Sequence, residues 1–513
     1  MEVTMNFEHG RTTIVKTDKG LIRGFKNDGV YHYYGIDYAK STRFMPPVET
    51  DCWEGVKDAV NYGFISYPFR PYKIGNNLKN PHRFWPQSEN CQNLNVWTKN
   101  INSEIKKPVI VWFHGGGFFD GSSIEQVAYD GFNLCQYGDV VVVTVNHRLN
   151  IFGYLDLSKF SDKYQRSANV GNLDLIAALK WVNRNIENFG GDKDNVTIFG
   201  QSGGGIKVTT VMNMPASAGL YNKAMIMSGT MGHQLTDAGR DMSPNTKKML
   251  EILGIKENEV EKLELLSHKE IADAYLQAYK DLGGAGMLYV GPVRNVDYLG
   301  DPLYYGFSDI AKKTPLIVGS VFSEFFTLPE KYKRYEMSEK AMVDAIEEEL
   351  GKEVGDKLIP LFKETFPEKK LIDLLTYDCG AARGASKEFV HKRIEAGCAA
   401  TYNYFFTAVF GINEGQTALH SSDIPFIFHN TDKVPSTDLG KDTVKLENNM
   451  SGRFINFAKT GKPQLEGEEY WPACEIDKEA TMVFDRVSKV RYDFDTELLD
   501  QLSKVKTYTF GLI

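Results

Sequence analysis

Short apolar runs alternate with helix-forming stretches along the central part of this chain. Residues that are apolar at consecutive positions suit strands buried on both faces, as in a parallel sheet covered by helices. Between two of the runs, Leu173–Asn188 carries apolar residues at helical spacing, and Gly190 and Gly191 follow it, which predicts a helix. The pattern predicts an α/β fold with a doubly wound, mostly parallel sheet. The runs are Pro108–Phe113, Val140–Val145, Val196–Phe199, Ala224–Met227, Pro315–Val318 and Tyr404–Val409.

Two segments depart from this alternation. From Met231 to about Tyr289, and again from Ser338 to about Phe362, the sequence is charged and helix-forming. No flexible linker brackets either segment. We therefore expect helical excursions from a single catalytic domain that spans residues 1–513.

The composition is that of an ordinary globular protein. The chain is 42% hydrophobic and 25% charged, which excludes wholesale disorder. Its 59 basic and 67 acidic residues give a net charge of −8, with no general footprint for nucleic acid or an anionic membrane. The longest apolar runs are about one strand long, whereas a membrane span needs ~20 apolar residues. We expect neither a nucleic-acid nor a membrane partner, and the sequence gives no indication of the oligomeric state.

The cysteines and the N-terminus indicate in which cellular compartment the protein is expected. Six cysteines form no CxxC pair, which argues against a zinc ribbon or a disulfide scaffold. The segment Met1–Arg11 is polar, contains Glu2 and Glu8, and lacks the apolar core of a secretory signal. Both observations predict a cytoplasmic protein.

The strongest local motif is Gly200-Gln201-Ser202-Gly203-Gly204, which follows the strand-like run Val196–Phe199. The form GxSxG places a serine on a sharp turn from strand to helix, where small neighbours allow close backbone packing. Free N–H groups at the helix N-terminus favour developing negative charge. Ser202 is therefore a candidate nucleophile.

A glycine-rich segment, His114-Gly115-Gly116-Gly117-Phe118, directly follows the run Pro108–Phe113. Glycines let backbone N–H groups face a substrate oxygen without side-chain interference. Acyl transfer needs such donors to hold the oxyanion of the tetrahedral intermediate. The alternative is a plain turn, which the presence of the serine motif disfavours.

Spacing alone does not decide which of ten histidines is the base. His420 begins a loop between apolar segments, and His391 and His429 are rivals. A serine nucleophile needs a base within hydrogen-bond reach and a carboxylate that fixes the tautomer of that base.

Taken together, the chain resembles the type B carboxylesterases, the cholinesterase-like and para-nitrobenzyl esterase-like branch of the α/β-hydrolases, from about Val15 to about Asn456. The segments that carry the resemblance are Tyr34–Ala39, Arg43-Phe44, Ser88–Cys91, Leu94–Trp97, Val109–Phe118, Val142–Leu149, Gly171–Asp174, Trp181–Gly191 and Val196–Gly205.

The resemblance implies an α/β-hydrolase fold and a triad in the order Ser, Glu, His. The matching positions are Ser202, Glu324 and His420, and Gly116, Gly117 and Gly203 match the family's oxyanion hole. Glu324 follows an apolar strand, which places it at the carboxyl edge of the sheet, where α/β active sites lie. Asp423 either supports His420 from outside the triad or is a solvated loop carboxylate.

Three positions depart from the family pattern. Gln201 and Gly203 stand where the family usually has Glu and Ala. The neutral Gln201 removes a negative charge beside the site, so we expect little preference for cationic esters. Cys91 matches one half of a disulfide of secreted members, but residues 61–70 contain no cysteine.

The predicted function is hydrolysis of small-molecule carboxylic esters through an acyl-enzyme, without a metal or organic cofactor. An amidase or thioesterase uses the same residues and stays an alternative. A non-catalytic binding module on the same fold is disfavoured by the intact triad.

A basic, aromatic stretch lies between Ser66 and Gln87. It contains four cations and five aromatic residues but no carboxylate. One hypothesis is a mobile rim that attracts anionic esters, and the alternative is a solvated surface loop with ordinary buried aromatics. Its cations are Arg70, Lys73, Lys79 and Arg83.

Overall fold

The computed structural model describes residues 6–68, 82–230, 241–284, 290–379 and 381–505. The strands are β1 (Phe7–Glu8), β2 (Ile14–Lys16), β3 (Leu21–Arg23), β4 (Phe25–Asn27), β5 (Val30–Asp37), β6 (Val56–Asp58), β7 (Asn93–Thr98), β8 (Lys107–Phe113), β9 (Val141–Val145), β10 (Gly191–Gln201), β11 (Lys223–Met227), β12 (Leu316–Val321), β13 (Thr401–Phe406), β14 (Val409–Phe410), β15 (Gln416–Thr417), β16 (Ala480–Phe484) and β17 (Lys489–Tyr492).

Twelve strands of the described residues form one sheet in the order β1-β4-β5-β7-β9-β8-β10-β11-β12-β13-β16-β17. All neighbours from β9 to β16 pair in parallel, and the pairs outside this block are antiparallel. The strands β8 to β13 are almost wholly buried because helices cover both faces. The predicted α/β fold with a mostly parallel sheet is confirmed.

The α-helices are α1 (Phe132–Gly138), α2 (Asn150–Tyr154), α3 (Val170–Asn185), α4 (Gly203–Met212), α5 (Ser243–Ile252), α6 (His268–Asp281), α7 (Pro302–Tyr305), α8 (Asp309–Lys313), α9 (Glu339–Leu350), α10 (Lys352–Thr365), α11 (Ala382–Glu395), α12 (Ile424–Phe428), α13 (Thr443–Thr460) and α14 (Thr496–Val505). Five of the predicted strands coincide with β8 to β12 to within a few residues at either end. The predicted helix 173–188 corresponds to α3 and a following 3₁₀ turn, after which Gly190 takes φ 75°.

The last predicted strand, 404–409, is misplaced. The strand β13 begins at Thr401 and ends at Phe406. Its first residues include Thr401 and Asn403, whose polar side chains are buried because each has a specific partner. Arg393 Nε donates to Thr401 Oγ1 at 3.1 Å, and Asn403 Nδ2 donates to Glu479 Oε1 at 2.8 Å.

The charged segment after residue 240 folds as helices α5 and α6 with a 3₁₀ stretch between them. The apolar faces of these helices form one hydrophobic cluster with Phe118, from the glycine-rich segment, and Ile206, from α4. The second charged segment contains α9 and α10. The first excursion therefore packs directly against the elements that carry the serine motif.

Candidate active site

Ser202 lies on the turn between β10, which ends at Gln201, and α4, which begins at Gly203. Its backbone has φ 58° and ψ −128°, a conformation that a residue with a Cβ adopts only under strain. Ser202 N–H donates to Met227 O at 2.8 Å, at the end of the neighbouring strand β11. A Cβ on Gly204 would lie 2.0 Å from Phe113 O, so only glycine permits this turn. The elbow thus holds Ser202 at the carboxyl edge of the sheet.

The glycine-rich segment lies beside the elbow. Gly116 and Gly117 have φ values of +86° and +61°, which other residues rarely adopt. A Cβ on Gly203 would lie 2.2 Å from Gly117 N, so the start of α4 and the glycine loop touch backbone to backbone. The structure therefore brings Gly116, Gly117 and Gly203 together next to Ser202.

Glu324 and His420 form a hydrogen-bonded pair. Glu324 follows β12, is fully buried, and its Oε2 lies 2.5 Å from His420 Nδ1. Its other oxygen, Oε1, accepts from Val321 N–H at 3.1 Å. Because a carboxylate only accepts, His420 Nδ1 carries the proton and Nε2 of the neutral ring is an acceptor. This is the tautomer that a general base requires.

Two backbone hydrogen bonds join the loops that carry this pair. Ser323 N–H donates to Ala418 O at 2.8 Å, and His420 N–H donates to Glu324 O at 2.7 Å. Glu324 and Leu419 thereby form a short parallel β-bridge. Glu324 and His420 are thus held together by the main chain as well as by their side chains.

Gln201 is in direct contact with His420. Its Nε2 lies 3.2 Å from His420 Nε2, and Ser421 Oγ donates to Gln201 Oε1 at 3.0 Å. The amide N–H therefore donates to the imidazole nitrogen, which is an acceptor in this tautomer. Among the hydrogen bonds of the described residues, none joins the Ser202 hydroxyl to His420. Sequence reasoning treated Gln201 only as a missing charge and did not predict this contact.

Two further buried carboxylates, Asp378 and Asp423, lie close enough to Glu324 to be affected by its charge. Tyr404 OH donates to Asp423 Oδ2 at 2.6 Å, and burial, reinforced by the charge of Glu324, raises the pKa of Asp423 to about 6. Burial raises the pKa of Asp378 to about 7, although the N–H groups of Arg383 and Gly384 donate to it. Asp423 is fully buried, so the solvated-loop alternative is wrong.

The rival histidines have other partners. His391 Nε2 lies 3.3 Å from Glu479 Oε2, in a buried ion cluster. His429 Nδ1 lies 3.6 Å from Glu447 Oε2, and its ring stacks on Tyr137 at 4.2 Å. Neither contacts the serine elbow, whereas His420 does through Gln201.

Two half-buried phenyl rings flank the site. The ring of Phe325 lies 4.1 Å from the imidazole of His420, centroid to centroid, and packs against Ala382 and Ala385. The ring of Phe119 lies against Gly117, where an added Cβ would meet it at 2.7 Å. One ring thus borders His420 and the other borders the glycine loop.

In the described ranges, no three His, Cys, Asp or Glu side chains are grouped so that they could hold a metal ion. The helices within those ranges also lack the length and apolar character that crossing a bilayer takes.

Comparison with protein families identifies the chain. A model of the carboxylesterase family matches residues 11–499. The chain belongs to the carboxylesterase family.

Several relatives of this carboxylesterase match nearly its full length. It is 32% identical to the para-nitrobenzyl esterase of Bacillus subtilis (strain 168), over 95% of this chain and 98% of that protein. Among solved structures, an esterase from the anaerobe Clostridium hathewayi matches with a TM-score of 0.93 and 44% identity, covering 98% of this chain and 100% of that one. The Geobacillus stearothermophilus carboxylesterase matches with a TM-score of 0.72 and 30% identity, covering 95% and 99%.

These findings confirm the α/β-hydrolase fold and the predicted function. The protein is a carboxylic ester hydrolase that works as a serine hydrolase on small-molecule esters. The amidase, thioesterase and binding-module alternatives are not favoured. The family match also extends beyond the segment, about 15–456, over which the sequence resembles the family.

Part of the basic stretch between Ser66 and Gln87 lies outside the described residues, including Arg70, Lys73 and Lys79. The remaining cation, Arg83, lies 3.9 Å from Asp130 and 5.6 Å from the ring centre of Tyr62. Its backbone N–H donates to Glu125 O at 2.6 Å. In this carboxylesterase Arg83 is thus a partnered side chain, and it gives no support to a rim of free cations.

The Gln201–His420 contact predicts how Gln201→Glu alters the carboxylesterase. A carboxylate beside His420 favours the imidazolium. The neutral imidazole of His420 is therefore protonated at a higher pH than in the unaltered enzyme. We expect the acid limb of kcat/KM to move up by about one pH unit or more. The preference for a choline ester over its uncharged isostere should rise as well.

Gln201→Met is the matched control, because it removes the amide donor without adding charge. Its acid limb should move up clearly less than that of the Glu variant, because losing the N–H donor to Nε2 favours the imidazolium only slightly, and its choline preference should stay low. A strong choline preference in the unaltered enzyme, or an unmoved acid limb in the Glu variant, contradicts this interpretation of Gln201.

Proposed function

We propose that Ser202, His420 and Glu324 are the catalytic triad and that Gly116, Gly117 and Gly203 supply the oxyanion hole. The observation that carries the proposal is the Glu324–His420 pair at 2.5 Å, next to a strained serine elbow that touches the glycine loop. This arrangement supports the proposal, because a nucleophile, its base, an orienting carboxylate and backbone donors have to lie together in one site.

In the proposed reaction, Ser202 Oγ attacks the ester carbonyl carbon while its proton passes to His420 Nε2. The oxyanion takes hydrogen bonds from the backbone donors, and Glu324 stabilises the imidazolium. His420 then returns the proton to the leaving alcohol, which gives the acyl-enzyme. A water molecule, deprotonated by His420, attacks this ester and releases the acid. Gln201 has to release Nε2 in the first step, because a protonated Nε2 no longer accepts its N–H.

Covalent labelling tests the triad. A p-nitrophenyl phosphonate should add one phosphonyl group to the protein, and peptide mapping should place it on Ser202. Activity should fall in proportion to labelling. An adduct on another residue, or full activity after complete labelling of Ser202, contradicts the assignment.

We further propose that esters with an aromatic ring near the scissile bond are preferred substrates. The support is the pair of phenyl rings of Phe119 and Phe325 on either side of the site. The Clostridium hathewayi relative is described as an esterase that can hydrolyse aliphatic aromatic polyesters. Ring-on-ring contacts contribute about 0.5–1.5 kcal/mol beyond the area they bury.

Phe325→Leu is therefore expected to lower kcat/KM for a benzoate ester about 2- to 10-fold more than for the butyrate ester of the same alcohol. The butyrate serves as an internal reference, because any disturbance of His420 affects both substrates equally. Phe7→Leu, at the far edge of the sheet, is the matched control and should leave the ratio unchanged. Equal losses on both esters contradict the aromatic preference.

We also propose a cytoplasmic location. Its support is that all six cysteines are free, as is usual in a reducing compartment. Fractionation of cells that express the protein tests this: activity in the cytosolic fraction is expected, and activity confined to the medium or envelope contradicts it.

A further inference from the structure

Lys207 is a fully buried lysine on the helix that begins at the nucleophile. It lies on α4, five residues after Ser202, with 0% of its surface exposed. Its Nζ donates to the carbonyl oxygen of His114 at 3.0 Å. His114 is the first residue of the glycine loop, so this hydrogen bond joins the nucleophile helix to the loop that supplies the oxyanion donors.

The surroundings of this ammonium are unusual for a lysine. The rings of His114 and His147 lie 4.9 Å apart, and burial, together with the charge of Lys207, lowers the pKa of both well below the usual histidine value. Burial also lowers the pKa of Lys207 to about 7, and the nearby charge of Glu125 opposes this only in part. Neither histidine is therefore positively charged at neutral pH.

Keeping an ammonium in this place costs stability. An apolar side chain of similar length, such as methionine, would fill the same space without losing the hydration of a charge. The neighbours of Lys207 on α4 are glycine, threonine and apolar residues, all buried. The hydrogen bond to His114 O, and the geometry that this bond sets, are what an apolar side chain could not supply.

The glycine loop is fixed at its far end by the N–H groups of Phe119 and Asp120, which both donate to Gly116 O at 3.1 Å. Its near end is the peptide of His114, whose oxygen accepts from Lys207. Three consecutive glycines between these points have wide conformational freedom. Side chains of the loop add contacts of their own, with His114 Nδ1 2.9 Å from Gly115 O and Phe118 buried in the hydrophobic cluster. The Lys207 bond differs from these because it ties the loop to the helix that begins after Ser202.

We propose that Lys207 is a positioning residue that anchors the glycine loop to the nucleophile helix and so keeps the N–H groups of Gly116 and Gly117 directed at the substrate oxyanion. This inference rests on the proposed triad and oxyanion hole. In this role Lys207 does not contact the substrate. The backbone contact between Gly117 and Gly203 makes the geometry sensitive, because small shifts of the loop alter the donor positions.

The test compares Lys207→Met with Thr210→Val, a buried, near-isosteric change on the same helix. Losing one oxyanion donor costs about 10²–10³ in rate, and a displaced donor loses part of that, so kcat of the Met variant should fall about 10- to 100-fold. KM should stay within about threefold. Affinity for a trifluoromethyl ketone, which forms a tetrahedral oxyanion on the serine, should fall by the same factor as kcat/KM. Thr210→Val should leave kcat, KM and the ketone affinity close to those of the unaltered enzyme.

Lys207→Gln keeps a donor and removes the charge, and it should recover a large part of kcat and of the ketone affinity. The melting temperature of the Met variant should equal or exceed that of the unaltered protein, since a buried ammonium is removed. If the Met variant does not fold, Lys207→Gln alone decides the question. A 100-fold loss of kcat in Lys207→Gln then overturns the proposal. Unchanged ketone affinity in Lys207→Met also overturns it. Failure of the triad itself appears separately, as a phosphonate adduct away from Ser202 in the unaltered enzyme.

Discussion

Ser202→Ala is expected to lower kcat by about 10⁴- to 10⁶-fold and to abolish phosphonate labelling. The alanine lacks the oxygen that forms the acyl-enzyme, so only water activated in the remaining site can attack the ester. Stability should change little, because the Ser202 side chain has no hydrogen-bond partner among the described residues and its backbone strain remains. Steady-state hydrolysis of a p-nitrophenyl ester and the melting temperature measure the two effects.

Ser228→Ala is the matched control. Ser228 lies just past β11, is buried, and like Ser202 has a positive φ. Its variant should keep a kcat close to that of the unaltered enzyme and should label normally. Near-full activity in Ser202→Ala, or loss of labelling in Ser228→Ala, contradicts the assignment of the nucleophile.

Glu324→Gln is expected to lower kcat by about 10³- to 10⁴-fold. The amide oxygen of the glutamine can keep the hydrogen bond from Val321 N–H, which turns its NH₂ group toward His420 Nδ1. An NH₂ group there donates, so the imidazole proton moves to Nε2, where it prevents the ring from accepting the proton of Ser202. The imidazolium also loses its counter-charge. kcat and the pH profile of kcat/KM measure this loss.

Glu447→Gln provides the control, because Glu447 is a buried carboxylate beside the rival histidine His429. Its Oε1 accepts from the N–H and hydroxyl of Thr431, so the change removes a comparable buried charge. Activity should be retained in this variant. The reverse outcome, with Glu447→Gln inactive and Glu324→Gln active, would instead identify His429 as the base.

The parallel core could be predicted because its strands are buried on both faces, so each appears as a continuous apolar run. The strand β13 was misplaced because its first residues include Thr401 and Asn403, which are polar and therefore interrupt such a run. Their burial depends on distant partners, because Arg393 donates to Thr401 and Asn403 donates to Glu479. Hydropathy along the chain carries no information about such distant partners.

The candidate site also contains parts that the sequence predicts and parts that it does not. The serine elbow and the glycine loop are local motifs, so the sequence predicts them directly. Glu324 and His420 are 96 residues apart, and only the family resemblance distinguished His420 from its rivals. The contacts of Gln201 and Lys207 depend on how the loops pack. A lysine within an otherwise apolar and small-residue helix was nonetheless a visible signal that sequence reasoning did not use.

The β-bridge between the loops of Glu324 and His420 has a consequence for exchanging segments between relatives. Because the two loops are hydrogen-bonded along their main chains, they form a single cassette although 92 residues separate residue 324 from residue 417. Grafting either loop alone from another esterase is expected to strain these backbone hydrogen bonds and to disturb the contact between Glu324 and His420. Recombination that keeps residues 321–324 and 417–420 from one parent preserves the pair, whereas a crossover between them divides the cassette.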